Sequence, residues 1–207
     1  MTVPVVSSCE VIAGDLDRQG WSVCPGFLGP AEAARLRERV LEWWEEGQFR
    51  RARVGRGPSL RLASEVRTDH VRWLDFTVGG RFAELHDTWF EPLRLAINRR
   101  LYLGLFDLEA HATVYPPGSS YARHLDRFRD AAHRTVSVVL YLNEDWSVDQ
   151  GGQLRLHLPS PDGGATMRDI LPEAGTLAAF LSGQIWHEVL PATRDRLSLT
   201  GWFCTRA

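Results

Sequence analysis

A succession of short β-type segments in the second half of the chain limits its possible folds more than any other feature. Clusters of glycine and proline separate these segments. In the clearest of them, which follows Arg134, four aliphatic residues alternate with other residues, as they should in a half-buried strand. The predicted strands are Glu109–Tyr115, Tyr121–Leu125, Arg134–Asn143, Gln153–His157, Thr176–Phe180, Trp186–Leu190 and Arg196–Phe203.

The first half is expected to be mainly helical. One helix is predicted between Gly29 and Gly47 and another from Arg81 to Leu103, because their apolar residues recur with a helical period. Between them, the arginine-rich stretch Phe49–Trp73 is expected to be an irregular loop that passes into one or two strands. The loop is either simply solvated or a mobile arm over a substrate. The expected class is α+β, with a jelly-roll or barrel buttressed by helices. All 207 residues are expected to form one domain, in which residues 1–105 provide mainly helical support and residues 106–204 form the β core.

The charged residues narrow the range of functions. All 24 basic residues are arginines, which excludes chemistry that needs a lysine, such as Schiff-base formation and P-loop phosphate binding. Arginine can instead hold a carboxylate through two hydrogen bonds. A formal net charge of −2 argues against nucleic acid as a partner. The arginine bias favours a GC-rich, bacterial source.

Two further features bear on the cellular compartment in which the protein is found. No apolar run approaches the roughly 18 residues of a membrane-spanning helix, and the first residues do not form a secretory signal. The three scattered cysteines are expected to be reduced thiols. We therefore expect a cytoplasmic protein with no membrane partner.

A candidate metal site begins at His124 and Asp126. On a strand, residues i and i+2 point to the same face and can chelate one ion. Seven histidines and 26 acidic residues among 207 give about one such pair by chance, so the pair alone is weak evidence. His187 and Arg196, on later predicted strands, strengthen it. Two histidines and one carboxylate are the facial triad of non-haem Fe(II) oxygenases. A buried Arg196, helped by the hydroxyl of Tyr141, could hold the distal carboxylate of 2-oxoglutarate.

Three other interpretations of these residues remain open. His187 could be a core histidine with satisfied hydrogen bonds, and Arg196 could form a surface salt bridge. The cluster could also bind redox-silent zinc.

Several motifs resemble the prolyl-hydroxylase branch of the 2-oxoglutarate/Fe(II) dioxygenases, over about Val66 to Phe203. Within that branch the chain is most similar to bacterial enzymes that modify elongation factor Tu, through Leu93–Asn98 and Arg127–Asp130. The segment Val66–Trp73 resembles the family's finger loop, with Thr68 in place of a glycine. The other matching stretches are Tyr115–Gly118, Tyr121–Asp126, Tyr141–Trp146, Gly151–Arg155, His187–Pro191 and Arg196–Phe203.

The resemblance implies a double-stranded β-helix and a complete set of site residues. It implies Fe(II) bound by His124, Asp126 and His187, and 2-oxoglutarate bound by Arg196 and Tyr141. Tyr115 and Thr200 would lie beside the cosubstrate, Leu154 and Trp202 beside the substrate, and Arg67 and Asp69 in the finger loop. For Tyr115, Thr200, Leu154 and Trp202, simple packing in the barrel interior is the alternative.

The expected reaction is hydroxylation of a prolyl residue in a protein, with elongation factor Tu as the first candidate. It would consume O2 and 2-oxoglutarate, release succinate and CO2, and use L-ascorbate as a supporting reductant. A monomer is expected. One alternative keeps the chemistry but acts on a free amino acid or small metabolite; another is a non-catalytic jelly-roll binding module.

Overall fold

A computed structural model describes residues 5–55, 61–127, 132–159 and 164–206. The helices are α1 (Val5–Gln19), α2 (Pro30–Glu45), α3 (Arg81–Leu85) and α4 (Glu91–Leu101), with a π-helical turn, His86–Phe90, before α4. The strands are β1 (Trp21–Cys24), β2 (Arg50–Arg51), β3 (His70–Trp73), β4 (Leu105–Tyr115), β5 (Tyr121–His124), β6 (Arg134–Tyr141), β7 (Leu154–Pro159), β8 (Ala165–Ile170), β9 (Leu177–Leu181), β10 (Trp186–Val189) and β11 (Arg196–Thr205).

Two antiparallel sheets form the β core. The major sheet has the order β1-β9-β6-β11-β4-β3-β2, and the minor sheet has the order β5-β10-β7-β8. The sequence of crossovers between them is that of a double-stranded β-helix. The expected α+β class and jelly-roll architecture are therefore confirmed.

Alternation along the major sheet separates a packing face from an interior face. On β11, Leu197, Leu199 and Phe203 join the core formed with the helices, whereas Arg196 and Trp202 line the interior. Strand β6 alternates in the same way, as the sequence predicts. Because period-2 alternation directs every second side chain inward, polar residues on these strands converge between the sheets.

The helices cover the outer face of the major sheet. Helix α2 lies within the predicted segment and begins with Pro30 in its first turn. The predicted second helix is interrupted, because a π-helical turn separates α3 from α4, and it ends at Leu101 rather than Leu103. Tyr102 adopts a left-handed backbone conformation there, with φ 55°.

Four elements were not expected from the sequence. Helix α1 buries Cys9, Ile12 and Leu16 against the helical core. Strands β1 and β2 extend the major sheet at its two ends, and β8 pairs with β7 where no strand was predicted. Part of the predicted arm, Gly57 and Pro58, lies outside the described residues, as do the last three residues of Arg127–Asp130. Among the helices of the described part, none is long and apolar enough to cross a membrane.

Candidate active site

Three potential metal ligands meet at the edge of the minor sheet. His124 at the end of β5 is directly opposite His187 on β10, and Asp126 follows β5 by two residues. His124 Nε2 is 3.6 Å from Asp126 Oδ1, and His187 Nε2 is 3.5 Å from Asp126 Oδ2. One donor atom from each of the three residues lies within 4.8 Å of the others. The three donor atoms can occupy one face of the coordination sphere of a single ion and leave the opposite face open to other ligands.

Hydrogen bonds fix which nitrogen of each histidine is available. His124 Nδ1 is 2.8 Å from the carbonyl oxygen of Ala122, and His187 Nδ1 is 3.1 Å from that of Ile185. A carbonyl oxygen can only accept, so both Nδ1 atoms carry the proton and donate it. The two Nε2 lone pairs are therefore directed toward Asp126 and are free to bind a metal.

The charges also suit a metal site. Burial alone would raise the pKa of Asp126, but His187, His124 and a hydrogen bond from Ser137 together hold that pKa well below its usual range. Burial lowers the pKa of His187 to about 4, against the opposing effect of the Asp126 charge. At neutral pH Asp126 is therefore a carboxylate and His187 is neutral, as metal ligands need to be.

A buried cation lies deeper in the same cavity. Arg196 is 1% exposed, and its Nε donates to the carbonyl oxygen of Gly152 at 2.7 Å. Its Nη2, the hydroxyl of Tyr141 and the hydroxyl of Ser198 are all buried without a hydrogen-bond partner among the described residues. Burial raises the pKa of Tyr141 to about 12, so its hydroxyl stays protonated and can donate. A buried guanidinium without an anion is costly, which points to a ligand carboxylate at this position.

Gly152 has to be a glycine for this arrangement to form. Its φ of +71° is left-handed, and a Cβ there would lie 3.0 Å from the ring of Trp146 and 3.2 Å from Cδ of Arg196. Only a residue without a side chain allows the backbone to approach Arg196 so closely. The residues present therefore fit both Fe(II) and 2-oxoglutarate.

The other predicted site residues mostly line the same cavity. Tyr115, Thr200, Leu154 and Trp202 all face it. Tyr115 also contacts Arg196, whose guanidinium carbon lies 5.0 Å from the centre of the tyrosine ring.

Of the two predicted finger-loop residues, Arg67 faces the cavity and Asp69 does not. Arg67 lines the cavity, whereas the side chain of Asp69 is 0% exposed and forms an ion pair with Arg67 at 2.5 Å. The guanidinium of Arg67 lies 4.3 Å from the ring centre of Tyr121, and that ring stacks on His124 at 3.6 Å. Asp69 thus orients Arg67, and Arg67 in turn fixes Tyr121 against a potential metal ligand.

Sequence reasoning missed several residues of the site. Ser137 donates to Asp126 at 2.7 Å, and Ser198 presents one of the unpartnered hydroxyls. Each lies on the same face of its strand as a residue that the sequence analysis identified: Ser137 shares a face with Tyr141, and Ser198 with Arg196. Strand alternation could therefore have pointed to both serines. Arg134 was also missed; its guanidinium lies 3.6 Å from the ring centre of Trp202.

His111 is a buried titratable group of the cavity that the sequence did not single out. It lies between the rings of Trp73 and Trp202, at 5.2 and 5.3 Å, and its Nδ1 is 2.8 Å from the hydroxyl of Thr113. Burial, together with the charge of Arg67, lowers the pKa of His111 from 6.5 to about 3. His111 is therefore neutral at physiological pH.

We expect His111 to weaken the fold in acid. The unfolded chain takes up a proton at His111 below pH 6.5, whereas the folded chain does so only near pH 3. The free energy of unfolding should therefore fall by roughly 1.4 kcal/mol per pH unit between these values because of this residue. Urea unfolding of metal-free wild type and His111→Gln should show a shallower pH dependence in the variant. Equal slopes would mean that His111 is charged in the folded protein.

A β-helix with a His–Asp–His cluster and a buried arginine defines an oxygenase of the Fe(II)- and 2-oxoglutarate-dependent type. The sequence profile of the 2OG-Fe(II) oxygenase superfamily matches residues 110–204. A Pseudomonas putida prolyl-4-hydroxylase is 42% identical in sequence and superposes with a TM-score of 0.85, over 96% of this chain and 100% of the other. The chain belongs to the prolyl-hydroxylase branch of the 2OG-Fe(II) oxygenase superfamily.

Two animal proteins show the same relationship at a greater distance. A Trichoplax adhaerens prolyl hydroxylase, solved with a peptide of hypoxia inducible factor, is 26% identical with a TM-score of 0.84, over 97% of this chain and 90% of the other. Human Egl nine homolog 1 is 27% identical over 94% of this chain and 46% of its own length. The chain spans about half the length of the curated relatives it matches.

Proposed function

We propose that this protein hydroxylates a prolyl residue of a protein substrate. The size of the cavity carries the proposal: it measures about 1480 Å³ and extends from the three potential ligands to exposed arginines such as Arg50. Sites for small molecules usually measure about 300–1,000 Å³. The larger space suits a polypeptide segment together with 2-oxoglutarate.

The residues of the cavity have separable roles in this proposal. His124, Asp126 and His187 hold Fe(II), which when bound supplies the oxidising chemistry that turns a C–H bond into C–OH while 2-oxoglutarate becomes succinate and CO2. Arg196 and Tyr141 orient 2-oxoglutarate through its distal carboxylate.

The walls of the cavity suit a proline ring. Leu154 and Trp202 offer it apolar surface and exclude water from the reacting bond. Tyr115 and Thr200 lie beside the cosubstrate, and Arg67, held by Asp69, faces the substrate.

The finer parts of the proposal rest on likeness to relatives. The Trichoplax adhaerens protein was solved with a peptide fragment, which favours a peptide substrate here too. Elongation factor Tu is the first candidate, because the chain resembles bacterial enzymes that modify it. We propose further that L-ascorbate supports turnover and that the protein is a cytoplasmic monomer.

Purified protein should hydroxylate proline within a polypeptide far better than free proline. We expect kcat/KM to be at least about 100-fold higher for a peptide, since contacts away from the reacting atom should contribute about 2.7 kcal/mol. Peptides from elongation factor Tu, the intact factor and free L-proline would be compared with Fe(II) and 2-oxoglutarate present. Mass spectrometry would locate the added oxygen atom.

The variant His187→Ala serves as the control in this comparison. Faster oxidation of free proline would contradict the proposal and favour a small-metabolite enzyme. If Fe(II) and 2-oxoglutarate both bind but no succinate is released under any condition, the result would favour a non-catalytic binding module.

A further inference from the structure

The lining of the cavity carries an excess of positive charge that the overall composition does not show. The whole chain has a formal net charge of −2. Seven arginines nevertheless line the cavity, against two carboxylates, Glu109 and Asp126. Part of this excess, from Arg50, Arg51 and Arg53, is exposed to solvent.

Four of the seven arginines already have a role or a partner. Arg196 lies at the cosubstrate position, and Arg67 forms an ion pair with Asp69. Arg134 pairs with Glu109 at 2.9 Å. The guanidinium of Arg72 lies 3.6 Å from the ring centre of Trp43 and donates to Gln48.

The remaining three, Arg50, Arg51 and Arg53, form what we call the arginine rim. All three are exposed, and within the described ranges none of them lies in ion-pair distance of a carboxylate. Arg51 donates only to the hydroxyl of Ser64, at 3.1 Å. The nearby acid Glu65 is engaged by Arg61 at 3.3 Å.

The position of the arginine rim in the fold suits peptide binding. Strand β2 pairs with β3 on one side and stands last in the order of the major sheet among the described strands. The rim therefore lies at a sheet edge that opens into the same cavity as His124 and Asp126. An extended segment can pass such an edge while one of its residues enters the cavity.

We propose that the arginine rim binds acidic residues flanking the target proline of a protein substrate. The inference rests on the proposed function and adds a substrate class to it: a proline next to a cluster of Asp or Glu. Guanidinium groups that have no carboxylate partner among the described residues match the carboxylates of a substrate in charge and in hydrogen-bond geometry. Single-stranded nucleic acid fits less well, because its recognition needs a basic groove along several phosphates, whereas the whole chain has a formal net charge of −2.

Short unstructured peptides with one proline test the inference. Asp and Glu residues would precede the proline in one peptide and follow it in another, with Asn and Gln in their place in matched neutral peptides. We expect an acidic peptide to be preferred roughly tenfold, both in kcat/KM and in binding measured by fluorescence anisotropy. The preference should disappear near 1 M salt, where the screening length is about 3 Å.

Variants of the rim assign the preference to these residues. Replacing Arg50, Arg51 and Arg53 together by Gln should bring the ratio of acidic to neutral peptide close to one. Replacing them by Glu should reverse the preference toward peptides with basic flanks. Because β2 pairs through its backbone, the sheet edge should persist. Arg168→Gln, on the exposed edge strand β8 of the other sheet, is the matched control and should keep the wild-type preference.

Binding and turnover together separate this inference from the proposed function. Acidic peptides that bind preferentially but are never hydroxylated would support the rim and contradict prolyl hydroxylation. Hydroxylation that ignores flanking charge, or a preference unchanged in the Glu variant, would overturn the rim while leaving prolyl hydroxylation intact. Tighter binding of a single-stranded oligonucleotide than of the acidic peptide would also overturn it.

Discussion

Replacing Asp126 or His187 by alanine should abolish hydroxylation and also abolish stabilisation of the fold by Fe(II) or Mn(II). Each substitution removes a donor from a cluster whose atoms lie 3.5 to 3.6 Å apart, and the remaining two cannot hold the ion by one face. The β-helix should persist, because neither side chain belongs to an apolar core cluster. Succinate release, calorimetric titration with Mn(II) and circular dichroism would measure the three effects.

Asp169→Ala is a suitable control for these variants. Asp169 is a carboxylate of the same sheet, but it is exposed and pairs with Arg155 outside the cavity. It should retain wild-type activity and metal binding. Hydroxylation at the wild-type rate in Asp126→Ala or His187→Ala would remove the cluster from the mechanism.

Arg196→Ala should raise the requirement for 2-oxoglutarate by roughly 30- to several-thousand-fold. A desolvated carboxylate would lose its charged partner, which costs about 2–5 kcal/mol. Arg196→Lys should restore part of the affinity, because a lysine keeps the charge but cannot form two parallel hydrogen bonds. Binding of 2-oxoglutarate to the Mn(II)-loaded protein would be measured alongside the KM.

The matched control for Arg196 is Arg155→Ala. Arg155 pairs with Asp169 on the minor sheet and does not line the cavity. Its replacement should leave the requirement for 2-oxoglutarate unaltered. A shift of less than about threefold in Arg196→Ala would place the carboxylate elsewhere in the cavity.

The sequence predicted the β core because that part of the chain obeys local rules. Alternation on β6 and β11 follows from the geometry of a strand, and glycine and proline clusters delimit the strands. The same alternation directs Arg196 and Trp202 to one face of β11. The cluster of His124, Asp126 and His187 was predictable for a related reason: the first two lie two residues apart next to one strand, and the third lies on a later predicted strand. Motif likeness then implied that all three bind Fe(II).

Prediction failed where stability comes from distant contacts. Helix α1 was missed although it is amphipathic, and four of its buried residues complete the helical core. Strands β1 and β2 are four and two residues long, and they form because an existing sheet offers them an unpaired edge. Strand β8 likewise depends on pairing with β7.

By itself, the sequence determined the class of fold, the strands of the core and the residue types that could hold a metal and a carboxylate. Only the tertiary structure decided that Nη2 of Arg196 and the hydroxyls of Tyr141 and Ser198 are buried without a hydrogen-bond partner among the described residues. It also decided that Asp69 forms an ion pair with Arg67, whereas no described carboxylate lies within ion-pair distance of the arginine rim. Local patterns fix the direction of a side chain, but pairing and desolvation depend on groups brought together from distant parts of the chain.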